Sequence, residues 1–242
     1  EQAVRDRLRE MKDAMSAQDR AQLVELAGAL EQRQDMVDDA DCLPSVGIED
    51  VPEDVAIPTG DLGTIGTHRA TWFGAGTNGL VYSRIITELP TLGDELGPLL
   101  PLYCDLAPDV DCAGRDYQTN QAYQASVVGG IDTRTSIRGA IDNPENPEGF
   151  IVVAGKALTR NHSALSTLLV DTLSHVNFDE LARVREMIAQ MRVQEEARIT
   201  DVGHSLALAA ASASINATAA LNEQWTGLSA IKTLKALDNA LN

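Results

Sequence analysis

Lysine is scarce in this chain. Lys12, Lys156, Lys232 and Lys235 are its only lysines, and arginine supplies most of the positive charge. That bias points to genome composition or salt adaptation more than to a binding task. Positive charge as a whole is also in short supply. With 19 Lys and Arg against 36 Asp and Glu, the net charge is −17 and the pI near 4.5. Such a surface repels phosphates and excludes nucleic acid as a partner. It fits a cationic partner such as a basic peptide, and equally a surface kept soluble in a salty medium.

Cysteine is sparse too. Cys42, Cys104 and Cys112 form an odd set with no C-x-x-C pair, which excludes a disulfide-built secreted scaffold. Reduced, partly buried thiols are expected, in a compartment such as the cytoplasm. Long apolar runs are missing: Leu206 to Leu221 is mostly alanine, broken by Ser212, Ser214, Asn216 and Thr218, and does not suit a bilayer. No membrane partner is expected, and no basic-then-apolar leader is visible. The chain opens at Glu1 without a methionine and stops inside a helical pattern at Leu234 to Leu241. It therefore reads as a piece of a longer polypeptide.

Catalytic patterns are absent as well. None of His68, His162, His175 and His204 lies in an H-x-x-E-H, H-E-x-x-H or H-x-E pattern, so no zinc site is built within one helix. His204, beside Gly203, is expected to be a structural histidine in a helix core. His204 and Ser205 are neighbours in sequence, which does not give nucleophile–base geometry, and no serine sits in a G-x-S-x-G elbow. Asp38, Asp39 and Asp41 lack the alternating ligands, turn glycine and closing glutamate of a calcium loop, and read as a solvated cluster. Asn161-His162-Ser163 and Asn216-Ala217-Thr218 match the glycosylation pattern but fall in helical segments.

What is present begins with Gly74-Ala75-Gly76-Thr77-Asn78-Gly79, which fits G-x-G-x-x-G. A phosphate loop needs a helix after its glycines. Here Leu80 to Leu89 is rich in β-branched residues and reads as a strand. Asn78 and Gly79 are therefore predicted as a structural turn, joining strands Arg69–Phe73 and Leu80–Leu89 in a hairpin. No cofactor is expected.

The remaining 242-residue pattern divides into three parts. Residues 1–37 form a helical linker arm, with Val4, Leu8, Met11 and Met15 on one face and Ser16-Ala17-Gln18-Asp19 as a capping box that restarts the helix. Residues 38–67, marked by Pro44, Pro52, Pro58 and several glycines, form an extended connector. Residues 68–242 form an α+β domain. Within it, Leu92–Leu106 is a helix with Pro98 and Pro101 in its first turns, and Asp116–Val127 is a shorter one. Ile131–Ile141 and Gly149–Leu158 are strands about a turn at Asn143–Pro147. A long helix runs from Asp179 toward Ala220, with Gly203 the cheapest place to break it, and a final helix follows Thr226-Gly227. The order β-β-α-β-β-α-α predicts a mixed or antiparallel sheet covered on one face by helices.

Several of these segments resemble a known family. Leu43-Pro44-Ser45-Val46-Gly47-Ile48-Glu49-Asp50-Val51-Pro52, Thr77-Asn78-Gly79-Leu80-Val81-Tyr82 and Leu99-Leu100-Pro101-Leu102-Tyr103 are similar to stretches of the presequence-protease branch of the insulinase-type zinc metallopeptidases, the inverted zincins. So are Gly129-Gly130-Ile131, Gly155-Lys156-Ala157-Leu158, Gly203-His204 with Ala207, and Glu223-Gln224-Trp225-Thr226-Gly227-Leu228. The loop Val110-Asp111-Cys112-Ala113-Gly114 departs from the pattern, where a Gly-Thr pair is expected. The resemblance implies a protease of four related domains closing around a peptide-holding chamber. This chain would be the end of the helical hairpin linker plus the third, non-catalytic domain. Zinc would belong to the parent protein, and the partners would be its remaining domains and a peptide substrate. The alternative is a stand-alone structural or peptide-binding module of the same fold.

Overall fold

The computed structural model describes residues 2–37, 45, 47–54, 57–93 and 95–241. Asp38, Asp39, Asp41, Cys42 and the start of the connector therefore lie outside the described residues. The chain divides into two compact units, Glu1–Gly74 and Ala75–Asn242.

The first unit opens with helices α1 (Gln2–Ala14) and α2 (Ala17–Asp35). The break between them is chemically specified. Asp19 N donates to Ser16 Oγ at 3.2 Å, while Asp19 Oδ2 accepts from Ser16 N at 3.1 Å. This is a reciprocal capping box. The hydrogen bonds from Ser16 hold the Asp19 carboxyl below its usual range. Val4, Leu8 and Met11 on α1 and Leu23, Leu26 and Leu30 on α2 are all exposed. Strands β1 (Asp61–Ile65) and β2 (His68–Trp72) then pair antiparallel across Gly66-Thr67, with Gly66 at φ +60.

That pairing corrects the expected hairpin. Strand β3 (Leu80–Glu88) does not pair with β2; the two belong to different sheets. The Asn-Gly turn itself is present, with φ of 50 at Asn78 and 79 at Gly79 and a 3.1 Å bond from Leu80 N to Thr77 O. On its upstream side, however, stand Gly74-Ala75-Gly76, which offer almost no side chain for cross-strand pairs. β1 lies closer in sequence to β2 and takes it instead.

The second unit continues through a 3-10 turn (Gly97–Leu99) into α3 (Leu100–Leu106), so the helix expected from Leu92 starts later. Pro98 and Pro101 sit at its opening positions, where a missing N–H costs nothing. Next come β4 (Asp111–Cys112), α4 (Tyr117–Val127), β5 (Ile131–Ala140) and β6 (Asn143–Leu158). Asp116 caps α4, its Oδ1 accepting from Thr119 N at 2.7 Å. The turn expected at Asn143–Pro147 is instead strand. Ala140 faces Asn143, the reversal falls on Ile141-Asp142, and Pro147 faces Gly139 across a bulge. Prolines are tolerated there because β3 reaches along β6 only to Phe150, which leaves residues 143–149 as an edge.

After β6 follow α5 (His162–Ser174), β7 (Val176–Asn177), α6 (Leu181–Arg198), α7 (Gly203–Ser212), α8 (Ala217–Thr226) and α9 (Leu228–Leu241). The expected long helix is thus three. It breaks over residues 199–202, just before Gly203, and again before Asn216, whose Oδ1 caps α8 by accepting from Ala219 N at 2.8 Å.

The fold is α+β. Its main sheet has the order β3-β6-β5 and is antiparallel throughout, while β4 and β7 form a small two-stranded sheet. The expected opening β-β pair is therefore replaced by a single strand, β3. Helices α3, α5 and α8 pack on the main sheet. Between them lies a core of Leu100, Cys104, Ile151, Val153, Leu165 and Leu169. Leu106, Val110, Met187, Ile188 and Leu234 form a second cluster joining α3, α6 and α9.

Candidate functional site

The central sheet sorts its side chains by parity. On β6, Ile151, Val153 and Ala157 point into the core, with Val81 and Ile85 of β3 and Ile131 and Ile137 of β5 packed beside them. The alternate residues therefore share the opposite face. Register places Tyr82 against Lys156, and Arg84 against Ala154 and Asp132. Farther along, Ile86 lines up with Val152 and Arg134, Glu88 with Phe150 and Ser136, and Glu148 with Arg138.

This open face differs from the chain as a whole. In a molecule of net charge −17 it carries Arg84, Arg134, Arg138 and Lys156 against Glu88, Asp132 and Glu148. Arg134 is occupied by Asp132. Arg84, Arg138 and Lys156 have no carboxylate partner among the described residues. Tyr82 and Ile86 are 59% and 62% exposed, which gives the cations apolar neighbours. The Lys156 stem lies over Gly129, where an added Cβ would meet its Cγ at 3.2 Å, and this directs the ammonium toward the rim. Exposed aromatic and aliphatic side chains between unpaired cations suit an extended peptide bearing carboxylates.

The Asn78-Gly79 turn closes one end of this surface. Gly79 O accepts from both Thr159 N and Thr159 Oγ1 at 2.9 Å, which ties the start of β3 to the end of β6. Because the glycines lead into a strand, no helix N-terminus stands behind them to face a phosphate.

The histidines do not converge. His68 lies on β2, His162 opens α5, His175 ends it, and His204 stands in the first turn of α7. His204 is exposed, which corrects its assignment to a helix core: the Gly203 break turns it toward solvent, and Leu206 is the residue that α7 buries. Among the described residues, no three His, Cys, Asp or Glu side chains are grouped to hold a metal ion. Those residues do not fit a zinc site.

One polar cluster is invisible in sequence. Arg115 Nη2 lies 2.9 Å from Asp171 Oδ2, its Nε donates to Asn120 Oδ1 at 3.3 Å, and the guanidinium stacks 5.2 Å over Tyr123. His175 Nδ1 is 3.6 Å from Asp171 Oδ1, and β4–β7 pairing brings Cys112 beside Val176. A cysteine, a histidine and an aspartate thus come close. Burial, followed by the Asp171 charge, nevertheless pushes the Cys112 thiol up, whereas a nucleophilic thiol needs the reverse. What the cluster does is lock α4 to α5. Each of its pairs spans too much sequence for spacing to reveal it.

Among the described residues no helix is long and apolar enough to cross a membrane. The chain is similar to proteins called presequence proteases. It is 29% identical over 245 residues to presequence protease 1, chloroplastic/mitochondrial, of Arabidopsis thaliana, covering 97% of this chain and 22% of that protein. It is 25% identical to the mitochondrial presequence protease of Xenopus tropicalis, covering 96% and 23%. It is 23% identical to that of Schizosaccharomyces pombe, covering 98% and 24%. The chain therefore spans about a quarter of the length of the curated relatives it matches. Their names are organellar, and the cytoplasm expected from reduced thiols finds no support in them. A family profile described as peptidase-associated, for subfamily C of metallopeptidase family sixteen, matches residues 1–237. Read together with the α+β fold, that match over nearly the whole length establishes that the chain belongs to this peptidase-associated family.

Proposed function

We propose that this chain is a non-catalytic domain of a larger zinc metalloendopeptidase and forms part of the wall of the chamber that holds its short, unstructured peptides. The observation that carries this reading is the sheet with one face buried under helices and the other open, cationic and partly apolar. The relatives, which are named proteases and are about four times longer than the match, support a division of labour. The metal and the glutamate base that activates its water would reside in other domains of the same polypeptide. This segment would contribute enclosure and selection. The net charge of −17 would draw basic peptides from a distance. At contact, Arg84 and Lys156 would engage a peptide's carboxylates.

The test uses the intact polypeptide. Arg84→Glu with Lys156→Glu is expected to raise KM for carboxylate-bearing peptides several-fold and to leave kcat and zinc content unchanged. An unchanged KM would refute the chamber-wall role. Stoichiometric zinc held tightly by this chain alone would refute its non-catalytic assignment. Peptide binding by an intact polypeptide that shows no hydrolysis would favour the stand-alone module.

A further inference from the structure

A second concavity lies where the end of β3 meets α3 and α8. It encloses about 300 Å³ and is lined by Leu89, Leu92, Pro98, Leu100, Leu221 and Trp225, among others. No charged side chain is among its described lining residues. Trp225 is only 7% exposed, yet its Nε1 is buried without an acceptor among the described residues. Buried donors in native proteins nearly always have a partner, and the indole N–H can only donate. What belongs beside it must therefore bring an acceptor. The uncharged lining rejects a carboxylate as that acceptor, because nothing there would repay its desolvation. A neutral carbonyl attached to an apolar body fits both facts. The volume is at the small end for ligand pockets, which suits a residue or two of peptide and not an extended organic cofactor.

We infer that this recess is a peptide-anchoring site: it takes one apolar side chain of a peptide, and the main-chain carbonyl of that peptide accepts a hydrogen bond from Trp225 Nε1. The inference rests on the chamber-wall reading only for where the peptide comes from. Leu89 follows directly on Glu88, the last residue of β3, so a strand lying along the sheet would reach the recess at its end. Gly97 and Gly93 line the same recess, and a Cβ at either meets nothing within 4 Å, so the space is open to filling.

The chain has two tryptophans, Trp72 and Trp225, so Trp72→Phe leaves Trp225 as the sole reporter. The full 242-residue chain carrying that change is titrated with acetyl-Ala-Phe-Ala-amide and followed by indole emission and calorimetry. Saturable binding with a shift in emission is expected. Gly97→Leu fills the recess and should abolish the calorimetric signal with the melting temperature unchanged. Trp225→Phe keeps an aromatic ring, removes the donor and should weaken binding about tenfold, the worth of one hydrogen bond. Absence of saturation, or equal binding by the Gly97→Leu chain, overturns the proposal. Equal affinity for toluene, which has no acceptor, overturns the hydrogen-bonded anchor. The two readings fail separately. Normal probe binding alongside a KM unmoved by Arg84→Glu with Lys156→Glu would sink the chamber wall and leave the recess standing.

Discussion

Gly155 sits on the central strand directly beneath α5, and replacing it with alanine tests whether that contact sets the packing of the domain. The added Cβ would stand 2.7 Å from Leu165 Cδ1, 3.1 Å from Gly130 O and 3.3 Å from Leu169 Cδ2. Neither leucine can retreat easily, since both are 1% exposed. The Gly130 oxygen is held by Lys156 N at 3.4 Å. Overpacking of this kind costs about 1–3 kcal/mol. Against it, alanine restricts the unfolded chain and recovers about 0.4–1 kcal/mol. A net loss of about 1–2 kcal/mol should remain, which for a chain of this size lowers Tm by roughly 2–8 °C. Urea unfolding read from Trp225 in a Trp72→Phe background reports on the second unit. The midpoint should fall with the slope unchanged. Adding Leu165→Val should cost less in the Gly155→Ala chain than in the parent, by about 0.5 kcal/mol or more. A midpoint that stays level or rises, or strict additivity, would refute the steric account.

Three further outcomes follow from the same structure. Arg192 Nε lies 2.8 Å from Asp238 Oδ2, and Asp238 is 4% exposed. Arg192→Met should therefore destabilise the α6–α9 contact by about 2–3 kcal/mol, and Arg192→Met with Asp238→Leu should recover most of it in thermal melts. Ser16→Ala removes the side-chain acceptor of the capping box and should cost α2 about 1 kcal/mol. That loss should appear as faster amide exchange at the start of α2 while the Trp225 transition stays in place. The third concerns pH. Burial pushes the Cys104 thiol up to about 12, against about 8.5 in an unfolded chain. The unfolded state thus loses its proton first, so the contribution of Cys104 to stability is intact below pH of about 8.5 and is lost as pH rises toward 12, at up to about 1.4 kcal/mol per unit. Urea midpoints between a pH of about 8 and about 10.5, which brackets the rise above the unfolded thiol, should fall less steeply for Cys104→Ala. An identical slope would count against the buried thiol.

Much of the local structure could be read from the chain because it is decided locally. Ser16 and Asp19 lie three apart and satisfy each other's backbone, so the α1–α2 break needed no tertiary information. Asp116 and Asn216 act in the same way at α4 and α8. The expectations that failed concern choices between distant alternatives. Asn78-Gly79 forms the turn its residues dictate, yet the partner of β3 is β6, which begins only at Asn143, far along the chain. The prolines near Asn143 look like turn residues, and only the shorter reach of β3 along the sheet makes an edge strand available to them. His204 looked like a core residue because its helix was expected to run unbroken, and the break over 199–202 changes which face is buried.

By itself the sequence determined the α+β class, most helix starts, the family, and the lack of an H-x-x-E-H motif, since each rests on residues within a few positions of one another. The tertiary structure alone decided the β3-β6-β5 order, the gathering of Arg84 and Lys156 on one open face, and the donor of Trp225 left without an acceptor among the described residues beside a cavity. Those depend on strand register and on which helix covers which face. A shift of one residue in register would send every one of those cations into the core.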